Sequence, residues 1–578
     1  MFKNTAILIL LSLLSTSIQV SALPETPDFA LSMTESAMTE STMDEARRTL
    51  QESSREIGRL IEQHRHQGFI DRTDTTAPQT VSPVSVEAPP CLDISGVYLQ
   101  GMTLLSLADL DTLSALPDHC ITNNDINKLT AEITNLYLAK GYITARVQFI
   151  APNHRGELGL NVVEGFVEAI EGGDHWVNSR MLFPGLINQP LNLNQLDQGL
   201  DQSNRLQSNK TTLDILPGSV NGGSIIRLHN RHSTAWRITA ITDNYGQKST
   251  GKWISRLNTS IDSPLGLSDF ISFSGVSTIP RSTIPRTAGK LNTQYNRAAT
   301  LFYSLPYGAV TFSGFTSYSR YTSRPKLQKH SSKLHGNSQQ SGVRMDWIFH
   351  RNQSQLSTVN SQFVYKNYNN YFGIEKLRHS SQTLTVFSLG ISHLQITPSG
   401  LITFDAGIEQ GTPWFGAQTA TNNLNKQFTK GKLSVNLQQH FKLFAMPYRF
   451  NSQFYAQYSP KGLPSVEWLN ITDRNTVRGF SNNTLSADNG WYLRNTLSHS
   501  IPLSESSLTL RIGADIGQIK SYNHQEPWKS NAGLSVGIAL RYQHFFADVE
   551  MNRGKTLAHK NKGKDEPIQL LTRFSYTF

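Results

Sequence analysis

From about residue 235 to the end of the chain, apolar and polar residues alternate along most segments. Residues 507–517 show the pattern clearly, with Leu508 and Leu510 on one side and Thr509 and Arg511 on the other. Successive side chains of a strand point to opposite faces, so this alternation predicts strands with one apolar and one polar face. About sixteen such segments of roughly 9–13 residues follow one another, the length that a tilted transmembrane strand needs.

The alternation alone fits a soluble sandwich as well as a membrane barrel. Two features of the strands favour a barrel: their number is even with alternating short and long links, and the last strand carries an apolar face with Leu570 and Phe574. A third feature is a set of aromatic residues at predicted strand ends: Trp236, Trp253, Tyr307, Trp414 and Trp491. We therefore predict a mainly β protein with a transmembrane β-barrel at residues 231–578.

A different pattern precedes the barrel. Residues 124–140 place Ile126, Leu129 and Ile133 near the 3.6-residue spacing of a helix, and short strand-like segments flank them. A second strand–helix–strand–strand unit follows, with its helix at about 193–206. The sequence therefore predicts two small α/β domains, at residues 91–172 and 173–230.

The N-terminal segment, residues 23–68, contains one more predicted helix. Thr42 to Glu45 fit a capping box and Gly68 fits a helix stop, so the helix is predicted at 42–66. Its apolar stripe is thin, so the helix is either solvated or lies in a water-filled space. The Pro-, Ser- and Thr-rich residues 69–90 are predicted to be a linker.

The first residues are typical of an export signal. Lys3 precedes an apolar run at 6–14, and Val20-Ser21-Ala22 provides small residues for cleavage, which predicts a signal peptide at 1–22. The chain has two cysteines, Cys91 and Cys120, in one predicted domain. An exported protein with two nearby cysteines most simply forms one disulfide between them.

Composition and motifs argue against several functions. The net charge is +10, but Lys and Arg are scattered through the strands, so we expect a basic, wet interior and no nucleic acid. Residues 533–537 match a nucleophile-elbow string, yet they lie inside an alternating strand. Phosphate-binding and zinc motifs are not found in the sequence. We expect no enzyme, no catalytic residues, no cofactor and no metal.

Two short strings carry a family resemblance. Val477-Arg478-Gly479-Phe480 lies in a long irregular stretch, predicted as a functional loop at 461–490, and Gly513-Ala514-Asp515-Ile516-Gly517 lies on a predicted strand. Together they resemble the paired signatures of the two-partner secretion transporters, or TpsB proteins, of the ShlB/FhaC/HecB haemolysin secretion/activation family. Other parts of the chain match where that family places such sequences: Glu164-Gly165, Pro217-Gly218, Asp243-Asn244-Tyr245-Gly246 and Ser263-Pro264-Leu265-Gly266.

The resemblance implies the architecture and the site. The two α/β units would be POTRA (polypeptide-transport-associated) domains in the periplasm, in front of an outer-membrane barrel. The long loop would fold into the lumen, where Arg478 meets Asp515, with Gly513 and Gly517 leaving room for it. The N-terminal helix can plug the pore in this family. The last strand, with Phe574, Tyr576 and Phe578, resembles the signal through which outer-membrane barrels are recognised for insertion.

The resemblance also implies the function: export of a large exoprotein, such as a haemolysin or adhesin, by two-partner secretion. The expected partners are a cognate TpsA-type exoprotein in the periplasm, outer-membrane lipid, and the barrel assembly machinery during biogenesis. We expect a monomer, because a closed barrel leaves no edge to pair. Two alternatives stay open, a barrel insertase of the BamA type and a passive porin. The sequence does not tell which exoprotein is exported, or whether it is also activated.

Overall fold

The computed structural model describes residues 34–70, 91–117, 120–247, 249–279, 294–323, 326–327, 330–331, 333–418, 426–481, 484–522, 527–558 and 566–578. The chain divides into two compact units, Met1–Ser41 and Thr42–Phe578. Of the first unit, residues 34–41 are described, as the start of a helix. The predicted signal peptide and the predicted linker beyond Ile70 lie outside the described residues. Among the described residues, the model contains no helix with the length and apolarity that crossing a membrane requires.

Helix α1 spans Thr34–Ile70, so the predicted limits of 42 and 66 are wrong at both ends. Residues 34–41 contain neither Gly nor Pro, so nothing ends the helix before Thr42, which lies inside it rather than at its cap. Gly68 does not end the helix either. A Cβ atom at this position would lie 2.9 Å from the carbonyl carbon of Asp201, so the glycine permits a close approach in the last turn.

The first α/β domain consists of three strands and two helices. Its elements are β1 (Gly96–Gln100), α2 (Leu107–Leu110), α3 (Asn123–Ala139), β2 (Arg146–Ile150) and β3 (Glu157–Val163). Strand β3 is central, parallel to β1 and antiparallel to β2. A capping box of Thr122 and Asp125 starts α3, whose Ile133 and Tyr137 pack on the sheet. A disulfide joins Cys91 to Cys120.

The second α/β domain begins earlier than predicted. Its elements are β4 (Phe166–Gly172), α4 (Ser179–Leu182), α5 (Leu193–Asn204), β5 (Asn209–Pro217) and β6 (Gly223–His232). Strand β4 hydrogen-bonds to β6 and not to the first sheet, so the predicted boundary at residue 172 is too late. The two domains meet at Glu164-Gly165. The strand at 166–170 belongs to the second unit, as the predicted strand–helix–strand–strand order requires, and only the domain limit was placed after it.

Sixteen long strands form a closed barrel, in which the last strand pairs with the first. They are β7 (Trp236–Asp243), β8 (Ile254–Asp262), β9 (Phe270–Thr278), β10 (Tyr295–Tyr307), β11 (Val310–Ser323), β14 (Leu334–Arg351), β15 (Gln355–Phe372), β17 (Gln382–Thr397), β18 (Gly400–Thr412), β19 (Thr429–Leu443), β20 (Met446–Tyr458), β23 (Asn489–Leu503), β24 (Ser506–Lys520), β25 (Lys529–Tyr542), β26 (Phe545–Ala558) and β27 (Gln569–Thr577). The short strands β12 (Lys326–Leu327), β13 (His330–Ser331), β16 (Glu375–Lys376), β21 (Leu469–Asn470) and β22 (Ser486–Ala487) decorate the connections.

The barrel confirms the mainly β prediction and its strand number, but several strands are longer than predicted. Strands β14 and β15 reach 18 residues each. Their hydrogen-bonded ladder runs from Leu334–Phe372 to Arg351–Leu356, with one irregularity between Ile348 and His350. Apolar side chains such as Ile512, Leu534 and Phe574 are exposed on the outer face, as a lipid-facing surface requires.

Glu164, at the junction of the α/β domains, organises the end of the first domain. Its carboxylate accepts hydrogen bonds from the backbone N–H groups of Thr103 (2.7 Å) and Leu104 (2.9 Å) and from the Tyr137 hydroxyl (2.5 Å). Burial alone would raise the pKa of Glu164. The hydrogen bonds from Thr103, Tyr137 and Leu104 outweigh this effect and hold the pKa below its usual value.

We expect Glu164→Gln to lower the free energy of unfolding of the first α/β domain by about 1.5–3 kcal/mol at neutral pH, because the amide oxygen of Gln accepts these hydrogen bonds without the negative charge that strengthens them. A depressed folded-state pKa contributes stability above the unfolded-state pKa, and this contribution is lost as the pH falls through the folded-state pKa. The difference between the variant and the parent should therefore shrink below about pH 4. Hydrogen exchange of the α3 amides at neutral and acidic pH measures this difference in stability between the variant and the parent. Glu171→Gln, at a half-exposed ion pair with Arg227, is the matched control. Equal α3 exchange in both variants would contradict the prediction.

Candidate functional site

The long loop at residues 459–488, between β20 and β23, folds back into the barrel. Its tip places Arg478 against Asp515 of β24: Nη2 lies 2.7 Å from Oδ1, Nε donates to Oδ2 at 2.7 Å, and the backbone N–H donates to Oδ2 at 3.0 Å. The two side chains are 1% and 0% exposed. Arg478 also donates to the Asn495 carbonyl oxygen at 2.7 Å, and its Nη1 lies 3.9 Å from Glu550. The loop tip is therefore held on the wall by a shielded, bidentate ion pair.

Glycines on three neighbouring strands make room for this tip. Added Cβ atoms on Gly513 and Gly533 would overlap the Arg478 guanidinium and the Arg478 backbone, respectively. A Cβ atom on Gly554 would lie 2.6 Å from the Phe480 ring. Gly479 has a φ of 95°, and its carbonyl oxygen accepts a hydrogen bond of 3.0 Å from the Gly554 N–H. The four residues of the motif thus lie in a shallow trough whose floor is bare backbone.

A second ionic cluster holds the other limb of the loop. Glu467 accepts hydrogen bonds from Lys366 of β15 at 2.5 Å and Lys430 of β19 at 2.6 Å. Lys430 also lies 2.8 Å from Glu409 of β18. All four side chains are at most 16% exposed. The loop is therefore anchored to two separate parts of the wall by two buried charge clusters.

The loop tip also touches the seam where the barrel closes. Arg474 lies over the Tyr245 ring at 4.2 Å, and Arg573 of the last strand lies over the same ring at 4.8 Å. Arg573 is 3.7 Å from Asp243 on the first strand. Tyr245 therefore links the inner loop to both strands of the seam by cation–π contacts.

The part of helix α1 from Leu50 to Ile70 passes through the lumen. Along the single strand β15, Leu356 contacts Phe69, Val364 joins the cluster of Ile57 and Ile61, and Tyr368 contacts Leu50. Leu50 to Ile70 cover about 30 Å as a helix, which is the thickness of the hydrocarbon core of a bilayer. The remaining lumen partners of the helix include Phe270, Phe302, Phe315, Leu384, Val386 and Leu394.

Polar contacts complete the fit of the helix. Arg65 lies 3.0 Å from Asp405 of β18, and Ser54 donates to Gln340 of β14 at 2.9 Å. Arg55 lies 2.7 Å from Asp473 of the inner loop. The helix therefore contacts the loop as well as the wall, and together they obstruct the lumen.

Water-sized space remains on both sides of the helix. A cavity of about 440 Å³ lies between the helix and the wall around Lys366, Asp405 and Glu409. Another, of about 280 Å³, lies on the opposite side near Arg256 and Arg573. Their walls carry charged side chains, which is compatible with the basic, wet interior expected from the sequence.

Sequence reasoning named part of this site. It predicted Arg478, Asp515 and the glycines Gly513 and Gly517, all of which the structure brings together, with Val477 buried beside Gly517. It missed Glu467, Glu550, Gly533 and Gly554. Gly533 appeared in the nucleophile-elbow string, and its place on the inner face of β25 was the signal that could have linked it to the loop. Phe574, Tyr576 and Phe578 lie at the chain end with exposed rings.

Comparison with known proteins gives the same architecture. The family model described as haemolysin secretion/activation protein ShlB/FhaC/HecB matches residues 222–540. A ShlB-type POTRA domain matches residues 92–165, and a further POTRA domain matches residues 163–217. The α/β domains are therefore POTRA domains, and the family places them in the periplasm and its barrel in the outer membrane.

Relatives match over almost the full chain. Hemolysin transporter protein ShlB from Serratia marcescens is 51% identical over 568 residues, 98% of either chain. Hemolysin transporter protein HpmB from Proteus mirabilis is 48% identical, covering 93% of this chain and 95% of its own. The solved structure of CdiB from Escherichia coli superposes with a TM-score of 0.77 at 25% identity, covering 96% of this chain and 100% of that chain. The protein belongs to the ShlB/FhaC/HecB family of haemolysin secretion/activation proteins.

Proposed function

We propose that this protein exports a large cognate exoprotein across the outer membrane by two-partner secretion. The observation that carries the proposal is a barrel obstructed by a helix and an anchored inner loop, behind two periplasmic POTRA domains. The proposal is supported by relatives that match most of the chain and are named haemolysin transporters or outer-membrane transporters. The names of the two haemolysin transporters support a haemolysin as the cargo.

The POTRA sheets offer strand edges for an unfolded cargo. Among the described strands, β2 pairs only with β3, and β5 pairs only with β6, so each keeps one open edge. An extended polypeptide can add to such an edge through main-chain hydrogen bonds, with side-chain contacts setting specificity. The cargo then enters the lumen once helix α1 has moved. Folding of the cargo outside the cell gives the direction of transport, because a folded chain cannot slide back.

Several finer points belong to the same proposal. The exposed rings of Phe574, Tyr576 and Phe578 would present the last strand to the barrel assembly machinery. The closed barrel leaves no long edge to pair, which favours a monomer. The transporter would have no enzymatic activity of its own, and the Gly533–Gly537 string lies in a strand whose glycine faces the loop backbone.

A passive porin is the second candidate, and the apolar contacts of α1 argue against it. Leu50, Ile57, Ile61 and Phe69 are all less than 9% exposed in the lumen. A steadily open pore does not need an apolar clamp for a helix inside it. An insertase also consists of POTRA domains and a barrel. If this protein were an insertase, it would promote the insertion of a second barrel protein into liposomes.

The first of three predictions on export and pore closure concerns the loop anchor. Arg478→Ala or Asp515→Ala leaves one buried charge without its partner, at a cost of about 3–5 kcal/mol, so the loop tip should leave the wall. We expect exoprotein secreted into the medium to fall at least tenfold, roughly, for each variant. Arg320→Ala, at an exposed position of β11, is the control, and heat-modifiable migration verifies that each barrel is inserted. Unchanged secretion in both site variants would refute the proposed role of the ion pair between Arg478 and Asp515 in export.

The second prediction tests the trough without changing a charge. Gly533→Ala should impair secretion, because its Cβ atom would overlap the Arg478 backbone, which cannot turn aside as a side chain can. Gly314→Ala, on β11, adds the same methyl group where no atom lies within 4 Å. Secretion is compared at equal amounts of inserted barrel. Equal secretion by the two variants would contradict the requirement for a floor without side chains beneath the loop tip.

The third prediction concerns the helix. Leu50 is buried against Tyr368 and Leu463, so Leu50→Asp places a charge in an apolar cluster and should expel this end of the helix from the lumen. We expect larger and longer openings in planar lipid bilayers than for the parent chain. Arg59→Asp, at an exposed position of the same helix, should resemble the parent. If both variants conduct like the parent, α1 is not the element that closes the pore.

A further inference from the structure

The C-terminal end of α1 rests on the second POTRA domain as well as on the barrel wall. The backbone of Gly68 lies against the last turn of α5: a Cβ atom on Gly68 would lie 2.9 Å from the Asp201 carbonyl carbon and 3.0 Å from the Arg205 nitrogen. It would be closer still to the Asp201 carbonyl oxygen. Real Cβ atoms do not approach backbone so closely, so only glycine permits this contact.

Side chains next to Gly68 extend the contact. Gln207 donates to the Gln67 side chain at 3.3 Å. Leu206 is completely buried in the cluster that contains Ile57 and Ile61 of α1. We call Asp201, Arg205, Leu206 and Gln207 the plug seat, since these four residues of one domain receive the end of the helix.

Two arginines fix the plug seat to the periplasmic rim of the barrel. Arg351, the last residue of β14, lies 2.9 Å from Asp201 and 2.6 Å from Asp197 of α5. The Arg351 guanidinium also lies 5.5 Å from the centroid of the Phe69 ring of α1. Helix α5, the end of the plug and the rim therefore meet at one buried guanidinium.

Arg205 provides the second attachment. It is 2% exposed, and it donates to Ser304 of β10 at 2.8 Å and to the Ser268 carbonyl oxygen at 2.8 Å. Displacing α5 from the rim would leave this cation without its acceptors and would remove Leu206 from the cluster that holds Ile57. The position of the domain and the position of the plug are thus set by the same contacts.

We propose that Gly68 and the plug seat position α1 in the closed barrel, so that the POTRA domain that handles cargo also holds the plug. Movement of α5 away from the rim removes the support of the helix end, which couples cargo capture to opening. This inference rests on the proposed role of α1 as a removable plug.

The test compares two glycines of the same helix. Alanine is the better helix former, so propensity alone would favour the helix in both variants. Gly58→Ala adds a methyl group where no atom lies within 4 Å, whereas Gly68→Ala overlaps the plug seat. In planar lipid bilayers, Gly68→Ala should raise the fraction of time spent open by about tenfold, a shift typical of an overpacked contact. Gly58→Ala should conduct like the parent, and an equal open fraction in both variants would overturn the proposal.

Leu50→Asp separates the failure of this inference from the failure of the plug itself, because its cluster contains no residue of the POTRA domains. If Leu50→Asp opens the pore and Gly68→Ala does not, the plug seat does not hold the helix, but the role of α1 as a plug is retained. If neither opens it, the plug role fails.

A second measurement uses secretion. Gln67→Cys with Gln207→Cys, joined by a short bismaleimide, would hold the plug on its seat, and we expect exoprotein export to stop. The same variant treated with N-ethylmaleimide should still export. Export that continues from fully crosslinked transporter would also overturn the proposal.

Discussion

The buried contact between Arg478 and Asp515 is the constraint around which the lumen is arranged. A guanidinium and a carboxylate lose most of their hydration when both are almost fully buried, so the pair is stable only with excellent geometry and further hydrogen bonds. The structure supplies both, through the two parallel contacts and the Asn495 carbonyl oxygen. The geometry also requires a floor without side chains, and Gly513, Gly533 and Gly554 follow from that requirement.

The two elements inside the barrel are held by different physical means. The loop depends on a few buried charges, clustered at Arg478 and at Glu467, each of which is costly to separate from its partners. The helix depends on small apolar clusters spread along its length, at Leu50, Ile57 and Phe69, with partly exposed polar contacts between them. Contacts of the second kind can be broken one after another, so a helix can withdraw from the lumen by steps that a charge-anchored loop does not allow.

The parts of the structure that were predictable from the sequence are those with a regular period. The alternation of apolar and polar residues predicted the number of strands and the inward orientation of Asp515, and helical spacing predicted α3. The limits of α1 were not predictable, because Gly68 is a stop signal in most contexts and here serves a contact with Asp201, more than 130 residues away. Glu467 lies in an aperiodic loop, and nothing in its neighbourhood indicates Lys366 and Lys430.

The ion pair of Arg55 with Asp473 joins the helix to the loop tip, and it is less buried than the ion pair that holds the loop tip on the wall. Arg55 and Asp473 have side-chain exposures of 34% and 18%, against 1% and 0% for Arg478 and Asp515. A pair that water reaches is stabilised less than a fully shielded pair, because water screens its charges. Buried pairs cost several times more to break from one side. Separating Arg55 from Asp473 therefore costs less than separating Arg478 from Asp515, so the loop tip can stay on the wall when the helix moves.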